Sequence, residues 1–176
     1  MSRHPFFKRL LKEYQGLCTT STLPGITMVS NDDSLTEFLF QIKVANNKLY
    51  PENEQYFLSI IITPNYPVDS PQVKFVIHET HKGNAEDPIV IDDNEPEETK
   101  SVIPMHPHIY SNGHICLNLL GDDWTPACSI ESTLLSIQSM LNTNDRYERP
   151  PDDASYIKGA PLNPKNSRFV YHDDSV

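Results

Sequence analysis

The chain has 176 residues, enough for one domain with a sizeable core. Only 38% of its residues are hydrophobic and 15 are proline, so substantial loops or tails should accompany that core. A formal net charge of −10 argues against bulk attraction to nucleic acid or to an anionic membrane. No apolar run approaches the ~18 residues that a membrane-spanning helix needs.

The N-terminal Met1-Ser2-Arg3-His4-Pro5 leads into an amphipathic segment without the apolar stretch of a secretory signal. The three cysteines, Cys18, Cys116 and Cys128, have no paired spacing. Both features predict reduced thiols and a cytoplasmic or nuclear protein.

Residues 3–17 carry a helical period, with Phe7, Leu10, Leu11 and Tyr14 on one face and Leu17 beyond them. Lys8, Arg9 and Lys12 lie elsewhere on that helix, a solvated face that an acidic chain could also use for docking. From Gly25 the pattern becomes that of strands. These are Ile26 to Val29, then Leu35 to Val44 with Phe38, Phe40, Ile42 and Val44 inward. Tyr56 to Thr63, with Leu58, Ile60 and Ile62 on one side, and Val73 to Ile77 follow. Asn46-Asn47 and Pro51-Glu52-Asn53 mark turns between them. Four strands with short connections predict an antiparallel meander covered by helices, an α+β layout.

Three prolines make residues 64–71 an extended, rigid loop. Residues 78–101 are acidic and poor in aromatics and read as a flexible insertion. Ser129 is a candidate N-cap for a central core helix carrying Ile130, Leu134, Ile137 and Leu141. After Pro150-Pro151 the periodicity fades. We therefore expect a core domain over 1–155 and an irregular or mobile tail over 156–176, with no internal repeat or second domain.

The chemistry concentrates around Cys116, which follows an Asn112-Gly113 turn and lies near His106, His108 and His114. Three readings compete. The histidines and the cysteine are four candidate zinc ligands, but their order matches no common structural spacing. A cysteine hydrolase would activate Cys116 with a histidine, yet such a base usually comes from elsewhere in the fold, and Leu117 to Leu120 looks extended or loop-like rather than like a helix N-terminus. Thioester exchange asks for less. It needs an accessible thiol, a rigid loop and polar groups for the tetrahedral oxyanion. Cys18 and Cys128 read as structural cysteines.

The order of landmarks resembles that of the ubiquitin-conjugating enzymes over most of the chain, from the first helix to about residue 155. They are the basic helix, Tyr66-Pro67-Val68-Asp69-Ser70-Pro71, His106-Pro107, Gly113-His114-Ile115-Cys116-Leu117, Trp124-Thr125-Pro126-Ala127 and the helix from Ile130 to Leu141. The resemblance implies the family's fold, with a thioester to ubiquitin on Cys116. It implies contact of Lys8, Arg9 and Lys12 with the activating enzyme and RING ligases, and of Val68, Pro126 and Ala127 with RING or U-box domains. It implies no bound cofactor or metal, ATP being used by the upstream activating enzyme.

Most members have His-Pro-Asn where this chain has His106-Pro107-His108, so an asparagine amide is not the oxyanion donor here. His108 is either that donor or a brace of the loop. With Asp69-Ser70-Pro71-Gln72-Val73, Arg149-Pro150-Pro151-Asp152 and Tyr171-His172-Asp173-Asp174, this points to the W-type branch, which modifies the α-amino group of flexible N-termini and lacks the usual pair of packed C-terminal helices. Asp152 and Asp153 then fall where the family often keeps an acid near the incoming amine. His114 is either a participant or simply exposed beside the cysteine. Lysine-directed transfer, conjugation of a ubiquitin-like modifier and a non-catalytic binding module are the alternatives. Within the acidic insertion, Ile89-Val90-Ile91-Asp92-Asp93 with Glu95, Glu97 and Glu98 looks like a small-modifier interaction motif, the insertion otherwise being a solvated loop.

Overall fold

In the computed structural model, residues 3–19, 23–79 and 99–167 are described. The helix α1, Phe7–Thr19, precedes the strands β1 (Ile26–Asn31), β2 (Glu37–Ile42), β3 (Glu54–Ile61) and β4 (Gln72–Val76). These four pair in sequence order, each antiparallel to the next, as the alternation predicts. Phe38 lies opposite Ile60, Phe40 opposite Leu58 and Ile42 opposite Tyr56. All six side chains are buried, so the β2–β3 pair forms the centre of the core. Fixing this face fixes the register, because a slip of one residue would turn every one of these side chains to solvent.

The helix α2, Ile130–Asn142, lays Ile130, Leu134, Ile137 and Leu141 into the same core. Ser129 caps it as the sequence predicts: its side chain accepts from the Ser132 amide while the Ser132 hydroxyl accepts from the Ser129 amide. On α1 the prediction needs one correction. Leu10 is fully buried, and Phe7, Tyr14 and Leu17 pack against the core, but Leu11 faces solvent. Leu11 sits about 100° around the helix from Leu10, too far to share its buried stripe.

A carboxylate welds α1 to α2. Glu13 accepts from the Tyr66 hydroxyl at 2.7 Å, from the Ile130 amide at 2.9 Å and from the Arg9 guanidinium. It thereby satisfies an otherwise orphaned amide at the start of α2 and places negative charge at that helix's positive end.

Two further expectations change. The insertion predicted as flexible over 78–101 has structured ends. The His78 ring packs at a tilt against Phe57, its amide donates to the Ser101 hydroxyl at 2.9 Å, and Lys100–Ser101 forms a short strand, β5, parallel to the start of β3. Residues 80–98, with the Ile89 to Glu98 motif, lie outside the described residues. The core boundary predicted at residue 155 instead falls inside a helix, α3 (Asp153–Gly159), and the chain continues through a 3₁₀ turn at Pro164–Asn166 that packs on β4. The predicted irregular tail is thus ordered as far as Ser167, held by long-range contacts that local periodicity cannot reveal. The resembling segment Tyr171 to Asp174 lies outside the described residues.

Candidate active site

The loop 104–117 is folded by its own backbone. His106 bridges to Ile109, Ile109 bridges to Ile115, and the Tyr110 amide donates to the His114 carbonyl at 2.9 Å. Gly113 makes the tight return possible. Its φ is +89°, and a Cβ there would sit 1.9 Å from the Phe75 carbonyl oxygen, so only glycine fits. The Gly113 carbonyl in turn accepts from the Phe75 amide at 2.9 Å, which ties the loop to β4.

Cys116 comes out of this loop only 8% exposed, less accessible than the sequence suggests. Its amide donates to the His108 carbonyl at 2.8 Å. Burial, and then the charge of Asp152, push its thiol up to about 11. A cleft of about 330 Å³ opens beside it, lined by His106, Pro107, His108, Tyr110, Cys116 and residues of the 143–151 segment.

The three histidines divide. His106 is buried, its Nδ1 accepting from the His108 amide at 2.9 Å and its ring also bonded to the Met140 backbone. Burial and the neighbouring His108 bring it down to about 4, so it is neutral at physiological pH. His108 is exposed on the cleft, its ring 5.5 Å from that of His106. His114 is the surprise. It is 3% exposed rather than exposed beside the cysteine, and its Nδ1 lies 2.7 Å from the Tyr156 hydroxyl. Burial and then Lys74 lower its pKa, and its ring also bonds the Leu162 backbone. It anchors the C-terminal segment and is not among the residues lining the cleft.

This disposition weakens two of the three sequence readings. Zinc would need imidazole nitrogens that His106 and His114 already spend on protein partners, and among the described residues no group of three or more His, Cys, Asp or Glu side chains could hold a metal ion. A hydrolytic thiolate would need a lowered thiol pKa, and that of Cys116 is raised. The segment after the cysteine, expected to be extended or loop-like, turns through one short 3₁₀ turn at Asn118–Leu120 that has no side-chain cap.

Asp152 stands at the N-terminus of α3. Its carboxylate accepts from the Tyr110 hydroxyl at 3.1 Å, and Tyr110 lines the cleft with Cys116. Asp153 accepts from the Ser111 amide at 2.7 Å and so pins the same helix to the loop. Cys116, His108 and Tyr110 therefore line one cleft, with Asp152 held on the Tyr110 hydroxyl, while His114 is not among the lining residues. Sequence reasoning missed Tyr110, which holds Asp152, and Arg149, whose guanidinium donates to the carbonyls of Ile103, Pro104 and Ile109 and braces the loop from beneath. Each joins residues about 40 positions apart, beyond any local pattern.

Val68, Pro126 and Ala127 are exposed, and the Trp124 indole donates to the Pro67 carbonyl at 2.9 Å, joining their two loops. Lys8 and Lys12 are exposed on α1. Arg9 is not free for a partner in the same way. Its guanidinium donates to the carbonyls of Pro126 and Cys128 at 3.0 and 2.7 Å and fastens α1 to this edge. Cys128 is half-buried, whereas Cys18 is exposed, not the buried structural cysteine predicted.

Comparison with known proteins decides the family. The model of the ubiquitin-conjugating enzymes matches residues 9–160. The chain belongs to the ubiquitin-conjugating enzymes. It is therefore a transferase that carries ubiquitin through a thioester, and ubiquitin, the activating enzyme and ligases are the partners that membership implies. A ubiquitin-conjugating enzyme E2 W of Caenorhabditis elegans is 38% identical over 172 residues, 96% of each chain. A probable E2 W-A of Danio rerio is 37% identical over 172 residues, again 96% of each. Among solved structures, the ubiquitin-conjugating enzyme UbcA1 of Agrocybe aegerita superposes with a TM-score of 0.71 at 35% identity, covering 90% of this chain and 96% of that one. The W-type resemblance read from the sequence agrees with these relatives, and a non-catalytic binding module is not favoured.

Proposed function

We propose that Cys116 carries the ubiquitin thioester and delivers it to protein α-amino groups. The reading is supported by the hydrogen bond of Asp152 to Tyr110, which lines the Cys116 cleft, on a loop that has His108 where most relatives have asparagine. The incoming amine attacks the thioester carbonyl through its nitrogen lone pair. Asp152 accepts the proton that the amine sheds, directly or through a water. The C–S bond breaks, and the departing Cys116 sulfur ends as the thiol by taking up that proton, leaving a new amide. The high thiol pKa makes the sulfur a reluctant leaving group, so the loaded enzyme resists loss of ubiquitin to water.

The amine then decides the outcome. An α-amino group has a pKa of about 7.7–8 and a lysine side chain one of about 10.4, so at neutral pH roughly a tenth or more of α-amines, but well under a thousandth of lysines, are unprotonated. A site without the usual asparagine amide suits the amine that needs less help. His108, exposed on the cleft, is the side chain placed to meet the oxyanion.

The edge formed by Lys8, Lys12, Val68, Pro126 and Ala127 receives the activating enzyme and RING or U-box ligases. ATP is consumed by the activating enzyme, and this chain needs no cofactor of its own. The acidic composition and sparse cysteines suit the cytoplasm or nucleus. The Ile89-Val90-Ile91 segment with its following acids supplies a second contact, to a ubiquitin-like modifier. Titrating the 86–98 peptide with such modifiers tests it, and unmoved resonances would remove that contact. For the main proposal, incubation with activating enzyme, ATP and ubiquitin should give a reductant-sensitive adduct that Cys116→Ser abolishes, along with transfer. A reductant-sensitive adduct that persists in Cys116→Ser would place the thioester elsewhere.

A further inference from the structure

We propose that Tyr156 is a positioning residue for amine transfer: stacked on Tyr110 and bonded to His114, it seats α3 so that Asp152 is held on the Tyr110 hydroxyl at the Cys116 cleft. This rests on the reading of Asp152 as the acid that meets the amine.

The helix α3 has seven residues, no side-chain cap and no fully buried residue. A helix of this length does not hold its place by its own hydrogen bonds, so tertiary contacts must set it. Within Asp153–Gly159 only Asp153 and Tyr156 are shielded from solvent. The Tyr156 ring lies 3.8 Å from that of Tyr110 at 24°, an offset stack. Its hydroxyl lies 2.7 Å from His114 Nδ1 and 2.6 Å from the Ser167 hydroxyl. Tyr110, the other half of the stack, is also the donor to the Asp152 carboxylate. One aromatic pair thus fixes both the helix that carries the acid and the phenol that aims it. The Ser111 amide on Asp153 is the second pin. Further along, the Lys165 ammonium donates to the carbonyl and hydroxyl of Ser70 at 2.7 and 2.6 Å, so the whole 153–167 segment closes over β4 and the active-site loop.

The experiment separates loading from discharge. Wild-type protein, Tyr156→Phe, Tyr156→Leu, Asp152→Asn and Tyr156→Leu/Asp152→Asn are charged with ubiquitin, then discharged in single turnover to a lysine-free peptide with a free N-terminus, from pH 6 to 9. Thermal melts accompany each variant. Tyr156→Leu should load within about twofold of wild type yet discharge about tenfold or more slowly, with its pH profile displaced to higher pH as in Asp152→Asn. Tyr156→Phe, which keeps the stack, should recover most of the rate. The double variant should be no slower than Asp152→Asn alone. Parallel loss of loading and discharge, a wild-type discharge rate, or multiplicative effects in the double variant would overturn the assignment. A wild-type rate in Asp152→Asn would instead remove the reading of the acid, and a slow Tyr156→Leu beside it would show that Tyr156 does not act through Asp152. Should Tyr156→Leu fail to fold, Asp153→Asn loosens the second pin and leaves the stack in place. It should then slow discharge in the same sense with normal loading, and an unchanged discharge rate would overturn the proposal.

Discussion

Burial and then the charge of Asp152 set the behaviour of Cys116. A buried thiol that feels a carboxylate's charge stays protonated at pH 7, so its free form should be a slow nucleophile toward small alkylating agents. In a Cys18→Ser/Cys128→Ser background, alkylation of Cys116 should accelerate about tenfold per pH unit between pH 7 and 9, as expected for a group well below its pKa. Asp152 opposes the thiolate, so removing its charge lowers the thiol pKa and enlarges the thiolate fraction at every pH in this range. Asp152→Asn should therefore alkylate several-fold faster at pH 8, and an unchanged rate would separate the two groups. At this scale the cysteine was legible, because it follows an Asn112-Gly113 turn whose geometry admits only glycine. His114 was legible as a residue near the site but not in its orientation. The partner that holds it, Tyr156, lies 42 residues further on.

The sheet was legible because its chemistry is local. Alternation in Phe38, Phe40 and Ile42 and in Leu58 and Ile60 names the buried face directly, and α2 announces itself through its cap and four inward residues. The strand β5 was not, since two residues carry no period and their parallel partner is some 45 positions away. Nor was α3 legible, a short helix that neighbours impose on a turn-rich sequence. The junction of α1, α2 and the 64–71 loop was hidden for a different reason. Glu13 looks like one more acid on an amphipathic helix, yet it accepts from three elements at once. Glu13→Ala would leave the buried Tyr66 hydroxyl and the Ile130 amide without this acceptor. Urea unfolding should show a loss of about 2–4 kcal/mol, smaller for Glu13→Gln, which keeps a carbonyl oxygen. A loss below about 0.5 kcal/mol would mean that the junction contributes little to the fold.

Across the molecule, two regions divide the work. One edge, with α1, Val68 and the Pro126-Ala127 loop, carries exposed lysines and apolar side chains, the surface proposed for the enzymes that load ubiquitin and direct it. The cleft beside Cys116 is lined by the active-site loop and the 143–151 segment, with α3 tied to that loop through Tyr110 and Ser111. The link between them runs through packed elements. Arg9 fastens α1 to the 126–128 loop, Trp124 joins that loop to Pro67, and Ser70 donates to the Leu120 carbonyl while receiving Lys165. The claim that matters most for this arrangement concerns the amine it serves. The loaded protein should be offered a lysine-free flexible peptide, with its N-terminus free or acetylated, in the presence of free lysine. The account predicts discharge to the unblocked peptide alone. Discharge to free lysine, or to neither peptide, would contradict it.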